Sequence, residues 1–213
     1  MEAGPAHPVP VFPLPGLVLF PHVAIPLRVF EQRYRTMVRD ALAADRSIAM
    51  ALLKPGWEED YAGSPEFHSL LCVARIEDAE WLPDDCYKLV VKGVTRAQAG
   101  RVLREFPYRA VTVEPRPQHP LAEDDPLVAM ERENLLAQFR RLARVLERDP
   151  EEADGLGFEA LVNMACTLAP IEPETKLGLL EEDSVFDRAL RLREWMERRL
   201  PPGGSTAAAG EAN

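Results

Sequence analysis

The sequence predicts an α+β fold in which a β-rich half comes first and an α-helical half follows. Three observations carry this. Up to about residue 115, apolar residues alternate or run in short stretches punctuated by proline and glycine, the pattern of strands and turns. From Pro126 onward they recur at spacings of three and four, the period of an amphipathic helix. Between the two lies RPQHPLAEDD (116–125), rich in proline and charge, which marks a linker. The expected division is 1–115 β-rich, 116–125 linker, 126–200 helical, and 201–213 a disordered tail.

Val9-Pro10-Val11-Phe12-Pro13-Leu14 is apolar but proline-rich, so it is expected as an edge strand or extended segment. Leu17–Phe20 and Ile25–Phe30 continue the pattern. Phe30, Tyr34, Met37, Val38, Ala41 and Leu42 then form one helical stripe, with Arg33, Arg35, Arg39 and Asp40 on the opposite face. Ser47–Leu53 reads as a buried strand. Residues 54–67 hold two glycines, two prolines and an acidic triplet, the composition of a long exposed loop. Two long strands, Leu70–Trp81 and Tyr87–Arg101, flank the turn formers Leu82–Cys86. Gly93 interrupts the second at a bulge or bend, and Phe106–Pro115 supplies a last strand. Seven or so strands with one inserted helix suggest a small, partly closed β-structure.

In the second half, Asp125 before Pro126 is an N-cap followed by proline at the first helical position. Val128, Leu135, Phe139, Leu142 and Leu146 mark the inner face of this helix until Asp149-Pro150. Phe158, Leu161, Val162, Ala165 and Leu168 form a second helix, Pro173 opens a third, and Ser184-x-x-Asp187 reads as the capping box of a fourth, with Phe186, Leu190 and Leu200 inward. Pro201–Asn213 has nothing to bury and is expected to be disordered.

Composition narrows the function. The chain has 213 residues, 46% apolar and 28% charged, enough for a core without metals or disulfides. No apolar run nears the roughly 20 residues of a membrane span. No Lys or Arg precedes Arg28, and residues 5–26 hold seven prolines, unlike a secretory signal. A cytoplasmic protein is expected, with no membrane partner. Cys72, Cys86 and Cys166 form no C-x-x-C pair and read as reduced, structural thiols. The net charge of −10 is concentrated after residue 116, where 11 basic residues face 20 acidic ones, and this repels phosphate backbones.

Chemical motifs are missing. No phosphate loop occurs, and Gly155-x-Gly157 reads as a helix start. No G-x-S-x-G elbow exists. His7, His22, His68 and His119 are isolated in sequence, although folding can still join His22 and His68. The acidic clusters Glu58–Asp60, Glu123–Asp125 and Glu181–Asp183 lack a calcium-loop pattern, and the last two read as solvated helix caps. No catalytic residue, cofactor or metal is expected. Trp57, Tyr61 and Phe67, in the polar 54–67 loop, are the candidate binding residues for polypeptide; packing of the loop back onto the core is the alternative.

Val11-Phe12-Pro13-Leu14-Pro15-Gly16-Leu17-Val18-Leu19-Phe20-Pro21-His22, followed by Ile25-Pro26-Leu27-Arg28-Val29-Phe30-Glu31-Gln32-Arg33-Tyr34, resembles the opening of the N-terminal substrate-binding domain of Lon proteases. Cys72–Ile76 followed by Leu89–Arg96 is similar to that family's paired strands ending in G-x-x-R, and Leu177–Ser184 to its K-x-x-LLE-x-D stretch. The match runs in order over about residues 9–200. Leu71 stands where the family usually has glycine. The resemblance implies a β-rich, PUA-like pseudobarrel followed by a helical bundle. The family's ATPase and Ser-Lys peptidase modules have no room in 213 residues, so it also implies a stand-alone, non-enzymatic module binding unfolded or partner polypeptides. Phe30-Glu31-x-Arg33-Tyr34 reads as structural, with Glu31 at the helix start and Tyr34 inward. Two other functions stay open: an RNA-binding PUA-like protein, with Arg96, Arg101, Arg104 and Arg109 as the basic stripe, and a hydrolase assembled from distant residues. Oligomeric state is left undetermined.

Overall fold

The structure, a computed structural model, describes residues 8–61 and 63–199. His7, Leu200 and the expected tail Pro201–Asn213 lie outside the described residues. Among the described residues the order is β1 (Val9–Leu14), β2 (Ala24–Val29), α1 (Gln32–Leu42), β3 (Ser47–Leu53), β4 (Phe67–Leu82), β5 (Cys86–Arg104), β6 (Ala110–Pro115), α2 (Pro126–Val145), α3 (Phe158–Leu168), α4 (Pro173–Glu181) and α5 (Val185–Arg199). The α+β class and the β-then-α order of the sequence reading hold.

The strands form one mixed sheet in the order β2-β5-β4-β3-β1-β6, and β6 pairs again with β5. Closure follows from length. The 19 residues of β5 take β2 along Tyr87–Lys92 and β6 along Ala97–Arg104. Five strands therefore close into a barrel with β2 appended. β1 is not the edge strand its prolines suggested. It lies between β3, parallel to it (Val11↔Ala49, Leu14↔Leu52), and β6, antiparallel (Val9↔Val111). The prolines are tolerated because the β1–β6 contact covers only two residue pairs, and the donor needed beside it is Val11 N, bonded to Arg109 O at 2.8 Å.

Other boundaries shift for local reasons. Leu17–Phe20 is irregular chain rather than strand, although Val18, Leu19 and Phe20 are buried. Phe30 precedes the helix it was assigned to and is 68% exposed, while Tyr34, Met37, Val38 and Ala41 form the buried stripe. Residues 106–109 are loop, so β6 starts only at Ala110. α2 ends before Asp149-Pro150, where Glu147 takes a left-handed φ of 54°. The predicted caps are present: Asp125 accepts from Leu127 N at 2.8 Å, and Ser184 Oγ accepts from Asp187 N at 3.1 Å. The Gly93 bulge is real and has a cause. A Cβ there would stand 2.2 Å from Phe20 O, because residues 20–23 run against Gly93, with His22 N bonding Gly93 O (2.8 Å) and Gly93 N bonding Val23 O (2.9 Å).

The two sheet faces carry different side chains. Val11, Ala49, Ala51, Leu71, Ala97 and Val111 pack together as one cluster, small enough for the inside of a narrow barrel. The alternate positions, Phe12, Ile48, Met50 and Cys72, face outward into a larger core, where the Phe12 and Tyr34 rings lie 4.6 Å apart. That core also takes in Leu135, Phe139, Phe158 and Leu161 from the helices, so one apolar cluster spans both halves of the chain.

A buried polar junction fixes the halves to each other. Arg96 of β5, 1% exposed, donates to the carbonyls of Leu180 (2.7 Å), Glu182 (3.1 Å) and Pro117 (3.0 Å) and to the Asp183 carboxylate (3.0 Å). Arg116 Nε reaches the same carboxylate at 2.9 Å. Asp183 is thus a counter-ion to two arginines rather than a solvated cap. Arg188 of α5, fully buried, donates to Asn163 Oδ1 (2.6 Å), Gln118 Oε1 (2.9 Å) and Glu182 O (2.7 Å), and Asn163 Nδ2 bonds Pro21 O at 3.1 Å. Burial pulls the Arg188 guanidinium down to about 10, still charged at neutral pH.

Candidate functional site

The loop between β3 and β4 is tied at its base and again at its tip. Lys54 N bonds Glu66 O at 2.9 Å, and the two side chains pair at 2.8 Å. Gly56, at a φ of +87° that other residues rarely adopt, turns the chain into a short 3-10 helix, Trp57–Asp60. Arg33 of α1 then holds the tip by donating to Tyr61 O (2.9 Å) and Gly63 O (3.1 Å). Its Nε bonds Glu31 at 3.1 Å, and Glu31 also accepts from the Tyr61 hydroxyl. The Glu31-x-Arg33 pair is structural, as its position at the helix start suggested, but what it secures is this loop.

Two of the three predicted aromatics come together. The Trp57 and Tyr61 rings meet edge-on at 5.2 Å, both half-buried, with the Arg33 guanidinium 5.2 Å from the Tyr61 ring centre. Phe67 stands apart. It opens β4, packs against the barrel-interior cluster and lies 4.5 Å beneath the Arg109 guanidinium.

Beside the loop, and opposite residues 105–109, is a groove of about 280 Å³. Val11, Pro13 and Tyr34 line it from β1 and α1, and Pro65 and Pro107 from the two loops. Phe106 stands at its rim, 78% exposed, the most exposed of the large apolar side chains among the described residues. Arg109 ties the loops together by donating to Pro65 O, and Ser64 Oγ bonds Glu105 at 3.1 Å. Burial pushes the Tyr34 hydroxyl up to about 12 and lowers Arg109 from its usual value, so at neutral pH the groove has a neutral phenol and a cationic guanidinium. It offers apolar contact with a charged margin. Phe106, expected at the start of the last strand, stands instead on the loop before it. The available signal was an exposed-type pattern, a Phe-Pro step between Arg104-Glu105 and Tyr108-Arg109.

The remaining candidates fall elsewhere. Arg96 is in the interior, Arg104 covers the Tyr108 ring at 3.8 Å, and Arg109 covers Phe67, so the four arginines form no common stripe. His22 and His68 do not meet; each faces its own carboxylate, Glu159 (3.2 Å) and Glu174 (3.0 Å). All three cysteines are free and buried, with burial pushing the Cys72 and Cys166 thiols up to about 12. Among the described residues no cluster of three or more metal-ligating side chains occurs, and no helix is long and apolar enough to cross a membrane.

Comparison with known proteins gives the family. Residues 8–198 match the family described as the ATP-dependent protease La (LON) substrate-binding domain. A Lon protease of Heliobacterium modesticaldum is 26% identical over 197 residues, covering 90% of this chain and 24% of that protein. The Lon protease of Anaeromyxobacter dehalogenans is 29% identical over 144 residues, 67% of this chain and 16% of that protein. This chain thus spans about a quarter or less of these curated relatives. Among solved structures, the N-terminal domain of a Mycobacterium avium complex Lon protease shares the fold at a TM-score of 0.67 and 19% identity, covering 91% of this chain and all of that one. A Lon N-terminal domain protein from Xanthomonas campestris follows at 0.63 and 26% identity, covering 89% and 98%. With its family match running through barrel, junction and helices alike, the chain belongs to the Lon substrate-binding domain family.

Proposed function

We propose that this chain binds unfolded or partner polypeptides in the groove between the 54–66 loop and residues 105–109, and that it contributes recognition rather than catalysis. The observation that carries this reading is Phe106, held in water on a loop that hydrogen bonds fasten to its neighbour, next to an apolar recess. An aromatic so placed costs little entropy to bury, since its loop is already ordered. Trp57 and Tyr61 extend the apolar surface along the tethered loop, and Phe67 supports it indirectly by seating Arg109. The family's substrate-binding description supports the same assignment.

Strand addition has two places to occur. Barrel closure leaves the outer edge of β2, and the side of β4 beyond Ile76 that faces away from β5, without a neighbouring strand among the described residues. Pro26 blunts the first and Glu77, Asp78 and Glu80 charge the second, so both edges discourage indiscriminate pairing.

The test is titration of unfolded casein against variants. Phe106→Ala, and separately the joint change of Trp57 and Tyr61 to Ala, should each weaken binding by about tenfold, the consequence of losing 1.4 kcal/mol. Phe106→Ala should leave the thermal midpoint unchanged, because its ring is solvated. Adding Phe67→Ala should lower the midpoint, since that ring is packed. Unaltered casein affinity in the Phe106 and Trp57/Tyr61 variants would overturn the assignment.

A further inference from the structure

The helical half carries a second recess, larger than the groove on the barrel and of different chemistry. It lies between α4 and α5 and encloses about 390 Å³. Ile171, Leu179 and the half-buried Trp195 give it an apolar floor. Gly178 keeps it open, for a Cβ there would meet nothing within 4 Å. Three arginines, Arg191, Arg198 and Arg199, stand around it against two carboxylates, Glu194 in its lining and Glu182 beside Arg191. This is a cationic site on a chain whose net charge is −10.

The arginines are only lightly engaged. Arg191 pairs with Glu182 at 3.3 Å and Arg198 with Glu194 at 2.5 Å, both on the solvent side, where such pairs contribute little. Arg199 makes no ion pair among the described residues and instead lies 5.3 Å from the Trp195 ring centre. Basic side chains in a last helical turn favour the helix dipole by themselves. That alone does not account for an open apolar floor beneath them. Tryptophan and arginine around a concave, partly apolar surface are the residue types that dominate binding energy at interfaces.

We propose that the α4–α5 recess is a second docking site, one that takes an acidic peptide segment bearing a large apolar anchor. The anchor packs on Trp195 and Leu179 over Gly178, and the flanking carboxylates receive guanidinium hydrogen bonds from Arg198 and Arg199, whose planar donors match carboxylate geometry. The site is independent of the barrel groove, which offers apolar contact and shares no residue with it.

The test uses the full chain and a short fluorescent peptide, rich in Glu around one Leu-Trp anchor, in anisotropy titrations. The peptide should bind, and more weakly as salt rises. Gly178→Leu, which fills the recess where space is open, and the joint reversal Arg198→Glu with Arg199→Glu should each weaken it at least about tenfold. An unchanged thermal midpoint in both variants shows them folded, and unchanged peptide affinity in Phe106→Ala separates this site from the barrel groove. The site is refuted if the acidic peptide does not bind, if a copy with Lys for Glu binds equally well, or if Gly178→Leu leaves affinity intact. It is also refuted if sedimentation shows the recess occupied by a second copy of the chain, with the variants dissolving that dimer and no peptide bound.

Discussion

Arg96 sits on β5 but bonds entirely to the region around the linker and α4–α5, so a single guanidinium closes the junction between strands and helices. Replacing it with Met strips the Leu180 and Pro117 carbonyls of this donor and leaves Glu182 O to Arg188 and the Asp183 carboxylate to Arg116 alone. Removing one member of a buried ionic set costs about 3 kcal/mol, and denaturant unfolding of Arg96→Met should show a loss near that size. Asp183 allows a pH test. The hydrogen bond from Arg116, with that from Arg96, holds its carboxyl below the usual aspartate value. A carboxyl lowered in the folded state contributes stability above its unfolded pKa and loses it as pH falls through the folded one. The stability gap between the native chain and Asp183→Asn should therefore be constant near neutrality and shrink below about pH 4. A gap independent of pH down to 3 would exclude the ionic role. Counted from Tyr87, the strand alternation puts Arg96 in phase with the exposed Lys88 and Lys92, opposite to Arg101, and so points it away from the interior. Its burial comes from the chain doubling back some 85 residues later, which no local pattern encodes. The G-x-x-R resemblance marks the position without giving its burial.

At the scale of elements, two glycines with opposite surroundings give paired expectations. Gly93 lies against the Phe20 carbonyl, so Gly93→Ala must displace residues 20–23 from β5, at a cost of about 2 kcal/mol for overpacking. Gly178 lies in α4 with open space beside it, so Gly178→Ala should stabilise the chain by up to about 1 kcal/mol through helix propensity. Thermal unfolding of the two variants in parallel reads both signs. Most elements were legible because their signals are local: the Asp125-Pro126 start, the Ser184 cap, the 82–86 turn and the Gly93 interruption all depend on neighbouring residues. β1 lies inside the sheet despite its prolines because proline content describes a strand's own donors, whereas centrality depends on which strand returns to it. Phe30 shares the helical spacing of Tyr34 and Met37 but lies outside the helix, because Glu31 is the cap.

For the whole molecule, the candidate site shows the same limit. The sequence located the loop that carries Trp57 and Tyr61, and the structure adds the second wall, since residues 105–109 meet that loop only once the barrel has closed. The division at 116–125 is a change of element type, and we propose that the flanking parts act as one body. The shared core and the Arg96 and Arg188 bonds predict that a chain cut within 116–125 elutes as a single species by size exclusion under native conditions. Two separately eluting fragments would exclude a joint body. The central claim, that polypeptide is recognised on the barrel groove, is tested most directly by amide hydrogen exchange of the full chain with and without saturating unfolded casein. Added protection is expected to concentrate in residues 54–66 and 104–110, with the barrel strands unchanged. Protection confined to other segments, or none at saturation, would contradict it.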